Sequence, residues 1–115
     1  MLVEINRMIQ WMEHYALPKE EICQLLHDLA EKGTLLPQSE AAKQLEMSLQ
    51  RVVPDPCDRA RFLYSMVQSE PEEEIEPEEI YERTQLLTML LHSLREIVES
   101  ADSKAEAAGK IDAII

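Results

Sequence analysis

The sequence predicts an all-α fold: a five- or six-helix bundle with one long C-terminal helix over about residues 77–100 and a short docking helix after it. Three observations predict it. Good helix formers (Leu, Glu, Ala, Gln, Met) dominate, and only two glycines and one phenylalanine interrupt them in 115 residues. Apolar residues recur at steps of three and four along each segment, while the alternation expected of a strand is almost absent. Proline stands at or near the start of four helical segments, where its missing N–H costs nothing and its fixed φ fits.

The first helix covers about residues 2–15, with Leu2, Ile5, Ile9, Met12 and Ala16 on one stripe. Pro18 opens the second, in which Ile22, Leu25, Leu26 and Leu29 repeat at i, i+3, i+4 and i+7, and Gly33 is placed to end it. The third follows Pro37 and carries Ala41, Ala42, Leu45, Leu49 and Val52. Asp55 can cap the fourth, with Pro56 at its first position and Ala60, Leu63, Tyr64 and Val67 facing inward. The fifth starts near Pro77 and extends to Ser100, roughly 36 Å at 1.5 Å per residue. Ser103 and Glu106 have the spacing of a capping box for the sixth, whose Ala107, Ala108, Ile111, Ile114 and Ile115 are apolar. A tail ending on isoleucines must dock on the body or on a partner.

The fifth helix carries the strongest signal. Ile80, Thr84, Leu87, Leu91, Leu94, Val98 and Ala101 step 4-3-4-3-4-3, a heptad seam that needs another surface to cover it. Leu86, Met89, Leu90 and Ile97 widen the apolar arc beyond the seam. Covering so broad an arc within a short chain is demanding. The sequence therefore predicts a homodimer, with Ile80, Leu87, Leu91, Leu94 and Val98 shared between subunits. Trp11 and Tyr15 are the candidate exposed aromatic anchors.

Ahead of that helix, seven of the ten residues at 70–79 are glutamates, broken by Pro71, Ile75 and Pro77. The chain reads as one domain, 1–115, with an N-terminal helical subregion at 1–69, this acidic hinge at 70–79 and a C-terminal helical hairpin at 77–115. Of the formal net charge of −12, residues 1–69 contribute −3 and residues 70–115 contribute −9. Such a balance disfavours phosphate backbones and anionic membranes and favours a basic protein surface, which Glu72, Glu73 and Glu74 would meet. Glutamates there also suit the positive end of the helix they precede.

No charged leader with an apolar block opens the sequence, no apolar run approaches the roughly 18 residues of a membrane span, and two cysteines make no disulfide framework. A cytoplasmic protein is expected.

Few residues suggest chemistry. The segment from Ser39 through Ala41, Ala42, Leu45, Ser48 and Val52 resembles a helix-turn-helix, and the resemblance implies that Ser48, Gln50 and Arg51 face the major groove. Ala42, Leu45, Leu49 and Val52 keep one period throughout, however, and a single uninterrupted helix explains them. Leu25-Leu26-His27-Asp28-Leu29 resembles the His-Asp doublet of HD-domain phosphohydrolases, which implies divalent metal at His27 and Asp28. Cys23 and His27, four apart, could offer two zinc ligands, with Cys57, His92 or a carboxylate needed to complete a set and none of them at a ligand-like spacing. With glycine only at Gly33 and Gly109, neither a nucleophile elbow nor a phosphate loop can be built. The expected function is therefore a non-enzymatic helical protein–protein interaction module: a small acidic adaptor, chaperone or regulator without metal or cofactor. A DNA-binding regulator using 39–52 and an HD-like metal-dependent phosphohydrolase are the alternatives.

Overall fold

A computed structural model of the chain describes residues 2–32, 38–67 and 76–115, and within them every regular element is a helix. The helices are α1 (Leu2–His14), α2 (Lys19–Lys32), α3 (Glu40–Val52), α4 (Pro56–Val67), α5 (Pro77–Ser100) and α6 (Lys104–Ile114). Pro37, Gly33 and the acidic residues Glu72, Glu73 and Glu74 lie outside the described residues, as does the side chain of Leu2.

Helix boundaries follow local chemistry. Ser39 caps α3 by accepting the Ala42 N–H at 3.1 Å, and Asp55 Oδ1 accepts the Cys57 N–H at 3.1 Å ahead of Arg59 N–H bonding to the Asp55 carbonyl. Ser103 caps α6 through the Glu106 N–H at 3.1 Å. Glu106 reaches back past the cap residue to the Asp102 N–H at 2.7 Å, one position earlier than a capping box places it. Helix α1 ends differently: Ala16 takes φ = 50°, a left-handed conformation that most L-residues avoid. It is exposed and does not extend the apolar stripe.

Helix α5 is the axis of the bundle, and its contacts fix the direction of its neighbours. Lys19 Nζ donates to the Ala101 carbonyl and Arg95 Nη1 donates to His27 Nδ1 at 3.1 Å, so α2 runs antiparallel to α5. Arg59 pairs with Glu96 and Arg83 Nη1 reaches the Val67 carbonyl at 3.5 Å, so α4 is antiparallel too. Ser39 N–H donates to Gln85 Oε1 at 3.2 Å and His92 meets Glu46 at 2.8 Å, which makes α3 parallel to α5. Helix α6 turns back at Ala101–Ser103 and packs on α5, α4 and α1. Ile5, Met8, Ile9, Met12, Ile22, Leu26, Leu94 and Ile111 close the core where α1, α2, α5 and α6 meet, leaving only about 10 Å³ of internal space.

One chain thus covers α5 on four sides. Met89, Leu90, Leu91, Leu94, Ile97 and Val98 are all buried. Leu91, Leu94 and Val98, expected in a seam between subunits, belong to the intrachain core, because α2 and α6 fill the space a second subunit would need. Among the described residues, the start of the seam is its open part, with Ile80 exposed and Leu87 half-buried. The terminal isoleucines dock on the chain's own body: Ile114 is buried and Ile115 half-buried.

Helix α3 departs from expectation. Of its apolar stripe only Ala42 is buried and Leu49 half-buried, whereas Ala41, Leu45 and Val52 face solvent. The stripe has the right period, but α3 sits over a polar strip of α5 and is held mainly by hydrogen bonds.

Candidate functional site

Two surfaces stand out. The first is polar and runs along α5 through Gln85, His92, Arg95, Glu96 and Glu99. An open groove of about 540 Å³ lies between this strip and the Lys43, Glu46, Met47 and Gln50 flank of α3. Its groups are tied to one another. Glu46 Oε1 accepts from His92 at 2.8 Å, fixing the proton on Nδ1, and Gln38 Nε2 donates to the other Glu46 oxygen at 2.7 Å. Burial pushes the Glu46 carboxyl up, but the hydrogen bonds from His92 and Gln38, with the charges of His92 and Arg59, outweigh it and hold the group below its ordinary range. Arg95 donates to Glu99 at 3.0 Å and to His27 at 3.1 Å. A guanidinium can only donate, so His27 Nδ1 is an acceptor and its proton sits on Nε2.

The groups suggested for metal chemistry are dispersed within this arrangement. Asp28 Oδ1 accepts from Gln24 at 2.9 Å. Burial, reinforced by the charge of Glu99, raises the Cys23 thiol above its ordinary value against the opposing pull of Arg95 and Lys19. A thiol raised in this way is a weaker nucleophile at neutral pH. Cys57 stands at the start of α4, on a different helix from Cys23 and His27. Among the described residues no three His, Cys, Asp or Glu side chains are gathered so as to hold a metal ion. No described helix is long and apolar enough to cross a membrane. Residues 40–52 form one unbroken helix, without the turn at Glu46 that the helix-turn-helix resemblance implies, so Ser48, Gln50 and Arg51 lie on α3 itself and not on a separate second helix.

The second surface is an open apolar groove of about 530 Å³ between the end of α1 and the start of α2, lined by Trp11, Tyr15, Leu17, Glu21, Gln24 and Leu25. Its shape follows from the α1–α2 corner. The left-handed Ala16 and the following Leu17-Pro18 link the last turn of α1 to the first turn of α2, and the groove lies beside this corner. Trp11 is half-buried and forms a wall, while Tyr15, 70% exposed, stands at the mouth. Glu20 and Glu21 occupy the first turn of α2 and Glu13 the last of α1, all exposed. The two aromatic residues read from the sequence are therefore brought together, and Leu17 and Leu25 join them. Their partnership was not legible in the sequence, because Leu25 sits in a stripe that reads as core.

Comparison of the chain with family models, curated proteins and solved structures finds no match.

Proposed function

We propose that this protein is a non-enzymatic helical interaction module whose α1–α2 groove receives the apolar face of a partner's amphipathic helix. The observation that supports the reading is the groove itself: Trp11, Tyr15, Leu17 and Leu25 leave an apolar recess of about 530 Å³ open to solvent. That volume lies within the range of roughly 300–1,000 Å³ over which clefts capture ligands, and aromatic walls are favoured anchors at interfaces. Glu21 in its lining, in a chain of net charge −12, favours a partner helix with basic flanks. The mode is a helix laid in a groove, its affinity set by apolar anchors and its encounter rate by charge. The hydrogen bonds that engage His27, His92 and Glu46 support a binding rather than a catalytic role.

Trp11 is the sole tryptophan, so its emission reports the groove directly. Titration with a Leu/Lys amphipathic helical peptide is expected to shift Trp11 emission to the blue, with an affinity that falls as salt rises. A Leu/Glu peptide of the same length is expected to have no effect. If the basic peptide leaves Trp11 unchanged, or if Tyr15→Ala and Leu25→Ala bind it as well as the parent chain does, the reading fails.

A further inference from the structure

The α3–α4 face carries a different surface. On α3, Ala42 and Leu49 point inward, while Lys43, Met47 and Gln50 line the groove beside Arg95. Helical geometry then turns Ala41, Leu45 and Val52 to the opposite flank, over α4. On α4, Phe62 and Met66 lie three and seven residues beyond Arg59, on the side that reaches up to Glu96 beneath α3. Leu45 (57%), Val52 (78%), Phe62 (51%) and Met66 (43%) are all substantially exposed, so two neighbouring helices present apolar side chains on adjoining flanks. Isolated exposed hydrophobics are ordinary, but several on adjoining faces mark an interaction surface.

Charge says which partner fits. Residues 40–67 contain four basic and four acidic side chains, so the entire −12 of the chain resides elsewhere. A second copy would meet like charge across the acidic N- and C-terminal segments, but not here. The α3 surface is also self-complementary. Glu40 begins the helix and Arg51 nearly ends it, both exposed and on the same flank of the Ala41–Leu45–Val52 stripe. Two antiparallel copies of α3 bring each Glu40 against the other's Arg51 and each Ala41 against the other's Val52.

We infer that two copies of this chain pair through the α3–α4 face, related by a two-fold axis, with their α3 helices antiparallel and each lying against the other's exposed α3 and α4 apolar flanks. The interface is isologous, and it is separate from the α1–α2 groove. Two helices about 20 Å long and 8–10 Å apart offer on the order of 600 Å² per copy, the low end for stable association. Pairing in the micromolar range follows, with a dissociation constant on the order of 10 μM.

Sedimentation equilibrium of the full chain from about 1 to 300 μM, a range chosen to bracket that constant, tests the inference. A monomer–dimer equilibrium is expected, weakened at least about tenfold by Leu45→Glu or Val52→Glu, substitutions at exposed positions that leave the helical circular dichroism unchanged. Glu40→Arg and Arg51→Glu are each expected to weaken pairing by about fivefold, and the double charge swap to restore it, since only an antiparallel self-contact lets one substitution complement the other. A strict monomer throughout the range overturns the inference. So does a dimer indifferent to Leu45→Glu, or a double swap no better than either single one. Capture of a different protein by a monomeric chain, abolished by Leu45→Glu, would also overturn it, by assigning the face to a heterologous partner.

Discussion

Arg59 is the most deeply buried charge among the described residues, at 5% exposure, and its replacement separates two ways in which it can hold α4 on α5. Its Nη1 donates to Glu96, whose side chain is 39% exposed, and its Nη2 donates to the Pro54 carbonyl at 3.2 Å. Its Nε is buried without a hydrogen-bond partner. Arg59→Met keeps most of the apolar stem and removes the guanidinium. The lost hydrogen bonds cost about 3 kcal/mol together, one of them being charge-assisted. Glu96 regains water, because its carboxylate is already partly exposed, so the large penalty of a stranded buried charge does not arise. Removing the orphaned N–H returns about 2 kcal/mol. The net cost is about 1 kcal/mol. Arg59→Ala deletes the stem as well, adding about 2 kcal/mol for two to three methylenes. Urea unfolding followed by circular dichroism should therefore show midpoints in the order parent, Met, Ala, with the Ala variant about 3 kcal/mol down. If Met is as destabilising as Ala, the ion pair and not the stem holds the two helices together, and the reasoning is wrong.

Two substitutions should stabilise the fold. Ala16→Gly relieves the left-handed φ of 50° and is expected to raise stability by about 1 kcal/mol, seen as a Tm increase of roughly 4 °C. Gly109→Ala lies in α6, where an added Cβ meets nothing within 4 Å, and should gain about 0.5–1 kcal/mol in the same assay; a loss at either position would refute the backbone argument. Because the folded Glu46 carboxyl titrates below its ordinary 4.5, its contribution is complete above about pH 4.5 and disappears as pH falls through the folded value. Unfolding free energies from pH 7 to 3 should decline less steeply for Glu46→Gln than for the parent, and equal slopes would show that Glu46 is not a carboxylate that matters. Leu94→Ala, at a site with no exposure, should cost about 3–4 kcal/mol, and Ile80→Ala, 51% exposed, less than about 0.5 kcal/mol; comparable losses would return the α5 seam to the status of one continuous surface.

The helices and most of their ends were legible because each is set locally. Pro56, Ser103 and Asp55 act within a few residues of themselves, and hydrophobic period alone marks Ile22, Leu26, Ala60 and Leu63 as buried. What the period does not carry is which side a stripe turns to. Ala41, Leu45 and Val52 form as regular a stripe as any in the chain and remain in solvent. The reason lies 46 residues away, in the Gln85, His92 and Glu96 face of α5, which offers α3 hydrogen bonds instead of apolar contact. A signal existed: polar residues at 85, 88, 92, 96 and 99 keep helical spacing through the most apolar helix, so one neighbour of α5 had to be polar on its inner side. Leu91, Leu94 and Val98 failed as subunit contacts for the converse reason. Heptad spacing reports that a seam is covered and is silent on whether the cover comes from the same chain. Of the candidate site, Trp11 and Tyr15 were visible as apolar residues outside a stripe. Their grouping with Leu17 and Leu25 depends on the backbone turn at Ala16, which no side-chain pattern announces.

The polar seating of α3 has a consequence for how the molecule opens. A helix whose buried apolar contribution is essentially Ala42 and half of Leu49 has little solvent-driven reason to stay in place, and its ties to Gln85 and His92 are ones that water can replace. Amide hydrogens of α3 should therefore exchange through a local opening far less costly than global unfolding, while those of α5 exchange only when the whole bundle comes apart. The chain would then behave as a stable five-helix body carrying one detachable strut, and any ligand that binds across α3 and α5 would register first as slowed exchange in α3.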